Sequence, residues 1–466
     1  MQPRRGPSQP TMQAMATKCS LWLVFLLLLL LLPPQSTAKY SIQEVTFAAD
    51  ETGPGVTVQV LKNSETGESA QVMQTWGGKL ERLSLCPRDG AAMSCSGSPR
   101  DVVASRCDSL SSCNASTLRS DRSLGALLIP FANRIAHGRY SFGGEEHLLS
   151  ADNSTVSHGF LIQGRAMVAL SQQADASSAA LVLGVVFNGT DAGYPFHIAV
   201  NVSYTLSRSG LAVKVRARNI ALDGRAAPFM AGMHPYFKLM NSDFNTAKLV
   251  LDQCTQWNRQ AQDGALQVPN GLASLFHDFN GTGTLSDPHS PCGPACGAGA
   301  SIHWDDGFTP RDPYNPACVE ASGGAPLLVM SVHDGPRDRL LLELHGGFQY
   351  VQVSCLVHAL SSPLLPFSPL RASHPHPHPA RACTSPHAEY PPNNKVFKSG
   401  PQVYTGNAVG VAVEPMSGQT NCFNNEAGIV VIEAGATWQG EFRFRVGSAP
   451  QPAFPYNEED SHLFHQ

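Results

Sequence analysis

The sequence predicts an all-β protein built as a large antiparallel β-sandwich, and three observations carry that reading. Apolar residues fall on every second position in run after run, the period of a half-buried strand. Gly 41 and Pro 35 in 466 residues call for many turns and few long helices. No amphipathic helical pattern separates the strand-like runs, so nothing points to parallel βαβ units. The length would suit two or three average domains, but an all-β fold can hold it in one. The formal net charge is -4 with only 15% charged residues, which gives no electrostatic footprint for nucleic acid.

Taken in order, the chain opens with Arg4, Arg5 and Lys18 ahead of the apolar run Leu21 to Leu32. That run is about a dozen residues long against roughly 20 for a membrane span. Pro33, Pro34 and the small residues Ser36 and Ala38 follow it. Residues 1–38 therefore read as a signal peptide, with a mature start near Lys39. An uncleaved signal anchor is the competing reading, and no later run is apolar enough to span a membrane. Sequons at Asn114, Asn153, Asn188, Asn201 and Asn280 agree with a secretory route. In that compartment cysteines pair by default. Cys86, Cys95, Cys107 and Cys113 share one Ser/Gly-rich segment. Cys292 and Cys296 read as disulfide-bonded too, because no second Cys or His pair at zinc spacing accompanies them.

The domain is expected over residues 39–449, followed by a 450–466 tail. Its plainest element is "FHIAVNVSYTL", where Phe196, Ile198, Val200, Val202, Tyr204 and Leu206 alternate with Asn201, Ser203 and Thr205 on the other face. The turn Ser207 to Gly210 leads into "LAVKVRARN", with Lys214, Arg216 and Arg218 outward, which makes an antiparallel hairpin. Similar runs recur as "GVTVQVL", "APLLVMSVH", "RLLLELHGGFQYVQV" and "GIVVIEAGATWQGEFRFRV".

Residues 353–402 break the pattern, being rich in Pro, Ser and His with little periodicity. Without them "GGFQYVQ" joins "VYTGNAVGVAVEP" and reads as one continuing strand. Val353-Ser354 and Gln402 can be encoded by the ends of a spliced intron, so the segment is expected to be a retained intron or a late insertion. His374, His376 and His378 lie there among prolines without acidic or cysteine partners, and no metal site is expected.

Five stretches set polar groups beside apolar ones. Asn133 and Arg134 interrupt "LIPFANRIAHGRYSF", and a guanidinium fork suits paired hydroxyls as well as it suits a structural salt bridge. His158 precedes Gly159 in "SHGFLIQGR". His234 stands before Pro235 in "AGMHPYFKL", a position that suits acid–base work or a satisfied core histidine. Asp305 and Asp306 follow Trp304 in "IHWDDGF". Glu414 closes the apolar run Val411 to Val413 in "GVAVEPMSGQT".

In this order, Asn-Arg, His-Gly, His-Pro-Tyr-Phe, Asp-x-x-Phe and Glu-Pro-x-Ser-Gly resemble the aldose 1-epimerase (galactose mutarotase-like) family. "DAGYPFHIAVNVSYTL" and "IEAGATWQGEFRF" extend the resemblance from about residue 55 to 446 with residues 353–402 left out, which is nearly the whole mature chain. The resemblance implies an antiparallel β-supersandwich whose cleft binds a monosaccharide, with no metal or cofactor. It implies Glu414 as general base and His234 as general acid. It implies Arg134, His158 and Asp305 as holders of the sugar hydroxyls and ring oxygen, with Asn133 beside them and Asp306 as second choice to Asp305.

The activity so implied is the interconversion of α and β anomers of free hexoses. A base takes the proton of the C1 hydroxyl and an acid protonates the ring oxygen. A glycosidase would instead need two carboxylates astride the glycosidic bond. The alternatives are a sugar-phosphate epimerase on the same fold, which would need more Arg and Lys near the cleft, and a catalytically silent carbohydrate-binding protein. Met233 and Pro235 flank His234 where galactose-specific members carry Asn and Thr, so the preferred sugar stays open, as does the choice between monomer and dimer.

Overall fold

The computed structural model describes residues 38–88, 94–238, 248–251, 257–263, 266–272, 276–278, 303–310, 328–334, 338–356 and 410–447. For the strands between 248 and 338, and for 352–356 and 410–411, the description is of backbone alone. Most of the expected signal segment 1–38, most of the 353–402 excursion, Asn280, Cys292, Cys296 and the 450–466 tail lie outside the described residues. No helix among the described residues is long and apolar enough to cross a membrane.

The protein is all-β, with antiparallel ladders throughout apart from a two-residue parallel pairing of Pro87–Arg88 and isolated bridges. Three sheets carry the fold. The first joins Tyr40–Phe47, Val56–Asn63, Ser69–Met73, Lys79–Leu85 and Arg100–Asp101. The second runs from Val168–Ala174 through Ser178–Asn188, His197–Ser207, Gly210–Asn219, Thr437–Gly447 and Asp338–His345 to Leu328–Asp334 and beyond. The third places Trp257–Asp263, His303–Pro310, Tyr350–Leu356, Gly410–Met416, Gly232–His234 and Ala126–Leu128 side by side.

The alternation read from the sequence is what joins these sheets. Ile198, Val200, Val202, Tyr204 and Leu206 are all 0% exposed, each stabilising the fold by roughly 1.5–3 kcal/mol. The hairpin forms as expected, with Ser207 opposite Gly210 and Asn201 opposite Arg216. Gly210 sits at φ +94, where a side chain would be strained and a Cβ would collide with the Phe444 carbonyl. One apolar core takes in Leu61 and Val72 from the first sheet, Val202 and Phe444 from the second, and Met233 and Val413 from the third. The Phe237 and Phe444 rings meet edge to face, 6.0 Å apart, across the second and third sheets.

Two expectations are corrected. The flanks of the excursion are not one strand but two antiparallel neighbours, Tyr350–Leu356 and Gly410–Met416, with Val353 opposite Val413. A period-2 pattern looks the same whether the chain runs on or turns back, which is why the sequence alone joined them. The strand bearing Glu414 also does not end at that residue. It continues through Pro415 to Met416, which has Tyr350 on one side and Gly232 on the other.

The Ser/Gly-rich segment is stapled by the pairs Cys86–Cys95 and Cys107–Cys113. Beside the first staple, Glu68 takes Nη1 and Nη2 of Arg88 at 2.6 and 2.7 Å and accepts the Cys86 N–H at 3.0 Å. Both side chains are buried. Loss of one partner from such a pair strands a buried charge. Glu68→Gln is therefore expected to cost about 3–5 kcal/mol of stability, read as a lower urea midpoint, while Glu68→Met with Arg88→Met is expected to cost less. Equal loss in the single and double variants would refute this.

Candidate active site

The site is set by strand register. Gly232 pairs with Met416 and Tyr236 with Ala412, so counting inward from both sides brings His234 opposite Glu414. Pro235 interrupts the ladder without shifting it, since its carbonyl still accepts the Val413 N–H at 3.2 Å. Ser417 extends the same register: it exchanges backbone and side-chain hydrogen bonds with Ala231, each 2.9 Å. Opposed residues in an antiparallel ladder have Cβ atoms about 4.5–5.5 Å apart. Here the side chains meet, His234 Nε2 lying 3.2 Å from Glu414 Oε1. Both are buried, at 6% and 2% exposure.

His234 is held on its other flanks too. Its strand pairs with Ala126–Leu128, and its carbonyl accepts the Gly125 N–H at 2.9 Å. The Tyr236 ring stacks on the imidazole at 4.9 Å and 20°, and the His158 ring meets it edge-on at 5.4 Å.

His158 and Asn133 reach the site through backbone that few side chains adopt. Asn133 has φ +53, and His158 and Gly159 both have φ +68, the left-handed region that recurs at functional sites. The two segments are tied by the His158 N–H to the Asn133 carbonyl at 2.9 Å and by pairing of Arg134 with Ser157. At Gly159 a Cβ would lie 2.3 Å from the Ile129 carbonyl oxygen, so only glycine lets these chains approach. The Arg134 Nη1 donates to the Asn133 side chain at 3.2 Å.

Asn133, Arg134, His158, His234 and Glu414 are thus brought to one place. Asp305 and Asp306 stand in His303–Pro310, two strands from Glu414, with side chains outside the described residues. The backbone rows are Gly307–Gln352–Glu414 and Asp306–Val353–Val413. Asp305 is two residues from Gly307 and so occupies a position of the same parity as Glu414, which Asp306 does not.

Sequence reasoning missed three positioning residues. Asn421 accepts the Ala136 N–H at 3.0 Å, and its own N–H bonds the Arg134 carbonyl at 2.8 Å, clamping the loop after Glu414 onto the Asn133–Arg134 segment. Its proximity to the Glu-Pro-x-Ser-Gly motif was the available signal. Tyr236 was quoted within a motif but given no task. Asp121 comes from a segment with no motif. Its carboxylate, against the burial that opposes ionisation, is held at about 2 by the Leu124 N–H, Lys79 and Arg106. Cys422 is buried with its Sγ 3.3 Å from Met230 Sδ.

Burial pulls the His234 imidazole down to about 4, opposed chiefly by Asp121, and the Glu414 carboxylate at 3.2 Å acts in the same direction as Asp121. Burial also pushes His158 well below its usual value, with His234 and Arg134 adding to the effect. The grouping of metal-ligand types found among the described residues, Glu68 with Cys86 and Cys95, has its sulfurs bonded to each other and its carboxylate committed to Arg88.

The backbone is similar to a galactose mutarotase-like protein from Clostridium acetobutylicum, with a TM-score of 0.57 and 12% identity over 88% of this chain and 99% of that one. It is likewise similar to a galactose 1-epimerase from Lactobacillus acidophilus NCFM, with a TM-score of 0.56 and 13% identity over 89% and 100%. At such identities the likeness is one of fold, and the fold is galactose mutarotase-like. Residues 106–260, which hold Asn133, Arg134, His158 and His234, match the family model for aldose 1-epimerase. A stretch of 117 residues is 35% identical to the uncharacterized protein YihR of Escherichia coli (strain K12). It covers 24% of this chain and spans about a third, 35%, of that relative's length. The likeness to the aldose 1-epimerase family thus rests on residues 106–260 and on the fold.

The depressed histidine has a consequence for stability. Unfolded, His234 takes its proton near 6.5, but folded only near 4, so acid below pH 6.5 favours unfolding and the effect is complete near pH 4. Between about pH 7.5 and about pH 4.5 His234 is expected to account for about 2 kcal/mol of lost stability. Urea denaturation of wild type and His234→Gln at both values measures it, and an identical pH loss in the two would contradict the assignment.

Proposed function

We propose that this protein is an aldose 1-epimerase that interconverts the α and β anomers of free hexoses, with Glu414 as general base and His234 as general acid. The observation that carries the reading is the buried contact between His234 Nε2 and Glu414 Oε1 at 3.2 Å. In a cyclic hemiacetal the C1 hydroxyl and the ring oxygen are bonded to one carbon. A base and an acid that touch each other can therefore serve both oxygens at once.

The proton balance is simple. The Glu414 carboxylate takes the O1 proton as the His234 imidazolium gives one to the ring oxygen. The bond from C1 to the ring oxygen breaks and the open aldehyde forms. Rotation about C1–C2 and the reverse transfers close the ring on the other face, returning both groups to their starting states. The match of residues 106–260 to the aldose 1-epimerase family model supports a sugar substrate, and Asn133, Arg134 and His158, gathered beside the pair, supply the polar groups to hold its hydroxyls. The resemblance gives Asp305 the same task, and its register position agrees with that role. The N-terminal apolar segment and the cysteine pairs support a secretory route for the chain.

Polarimetry of freshly dissolved α-D-glucose and α-D-galactose tests the proposal. Wild type is expected to accelerate mutarotation of at least one of them. Glu414→Gln and His234→Gln are each expected to be slower by roughly 10²–10⁴-fold. No acceleration by wild type, or a full rate in Glu414→Gln, would overturn it. The acid role adds a pH signature: the folded protein protonates His234 only near pH 4, so wild-type kcat/KM is expected to fall as pH rises above about 4, and the residual rate of His234→Gln is expected to lack that limb.

A further inference from the structure

The outer face of the second sheet carries an apolar patch with sequons on its border. Among the described residues Val168, Leu170 and Val186 are 65%, 55% and 52% exposed, far more than isolated strand residues with a buried role. They are neighbours. Val168 lies opposite Gly184, Val186 is two residues further along the same strand, and the Leu170 side chain lies over Gly184, where a Cβ would meet it at 2.6 Å. The reverse face of these strands holds Leu183, Phe187, Val200 and Val202 at 0% exposure, so the core is on the other side. Val168–Ala174 is also the terminal strand of its sheet, and an apolar terminal strand invites pairing with another chain.

Two asparagines of N-x-S/T sequons frame this patch. Gly184 is opposite Asn201, which puts Asn201 on the same face, directly beside Leu170. Asn188 is exposed two residues beyond Val186, and the Thr190 hydroxyl of its sequon donates to its Oδ1 at 2.6 Å. By contrast Asn114 is engaged as the cap of Ala115–Arg119, where it accepts the Thr117 N–H, and Asn153 accepts a hydrogen bond from Arg139.

We propose that N-linked glycans on Asn201 and Asn188 cover this patch, their first sugar rings lying over Leu170, Val168 and Val186 and shielding the sheet end from a second copy of the chain. The cover follows from position: an amide nitrogen on a strand's outward face can carry a bulky, solubilising group only away from the core. The proposal stands apart from the catalytic reading, because patch and active site are on different sheets.

The test uses the full chain expressed in a secreting eukaryotic cell. Peptide mass spectrometry after glycosidase treatment reads occupancy at each sequon. Native enzymatic removal of N-glycans, and separately Asn201→Gln with Asn188→Gln, are followed by sedimentation velocity and hydrophobic-dye binding. Both asparagines are expected to be occupied. Stripped protein is expected to bind several-fold more dye and to self-associate, and Leu170→Thr with Val186→Thr is expected to return it to the behaviour of the glycosylated form. Empty Asn201 or Asn188 in the folded secreted chain would overturn the proposal. So would stripped protein with unchanged dye binding and sedimentation, or association of the glycosylated chain that Leu170→Thr abolishes, since the patch would then belong to a second copy. The enzymatically stripped protein, folded before treatment, keeps the result readable if the variants fail to fold.

Discussion

One antiparallel register holds the site together. Ala231 with Ser417, Gly232 with Met416, and Tyr236 with Ala412 are all pairs of the same alignment, and His234 opposite Glu414 is the pair it leaves at the centre. A slip by one residue would send every side chain of the strand to the other face, taking Glu414 away from the imidazole and into the layer now held by Val413. The motif Glu-Pro-x-Ser-Gly is accordingly structural as well as chemical. Ser417 pins the alignment through its hydroxyl, and Gly418 lets the chain pass the Gly428 carbonyl, which a Cβ would approach to 2.8 Å.

The same register explains the electrostatics. A histidine opposite a carboxylate on a buried ladder is pulled in two directions, since burial disfavours its charged form and the neighbouring carboxylate favours it. Asp121 adds to the second effect from behind. Burial is the larger influence, so the imidazolium holds its proton weakly and gives it up readily. The loop after Ser417 then returns through Asn421 to clamp the backbone at Arg134 and Ala136, so the segment placed to hold the sugar is tied to the strand that carries Glu414.

The strands were legible because alternation has a single physical cause, one face in the core and one in water. Ile198 to Leu206 and its partner strand came out in the expected register. Glu414, His234, His158, Arg134 and Asn133 were legible only as an ordered set. Each alone reads equally well as a polar residue at a strand end or in a turn. Three things were hidden for reasons of geometry. A periodic pattern does not show whether a chain continues or doubles back, so Tyr350–Leu356 and Gly410–Met416 read as one strand. A clamp such as Asn421 acts through backbone atoms 285 residues away in sequence. The closeness of His234 to Glu414 depends on a strand crossing that no local spacing records.

The account turns on His234 and Glu414 forming one coupled pair, and titration of the His234 ring by nitrogen-15 NMR in wild type and in Glu414→Gln tests that most directly. A ring that titrates below the usual histidine range in wild type, and lower still once the carboxylate is gone, is the predicted result. The same titration in both proteins would show that the two groups do not sense each other, and the account would fail.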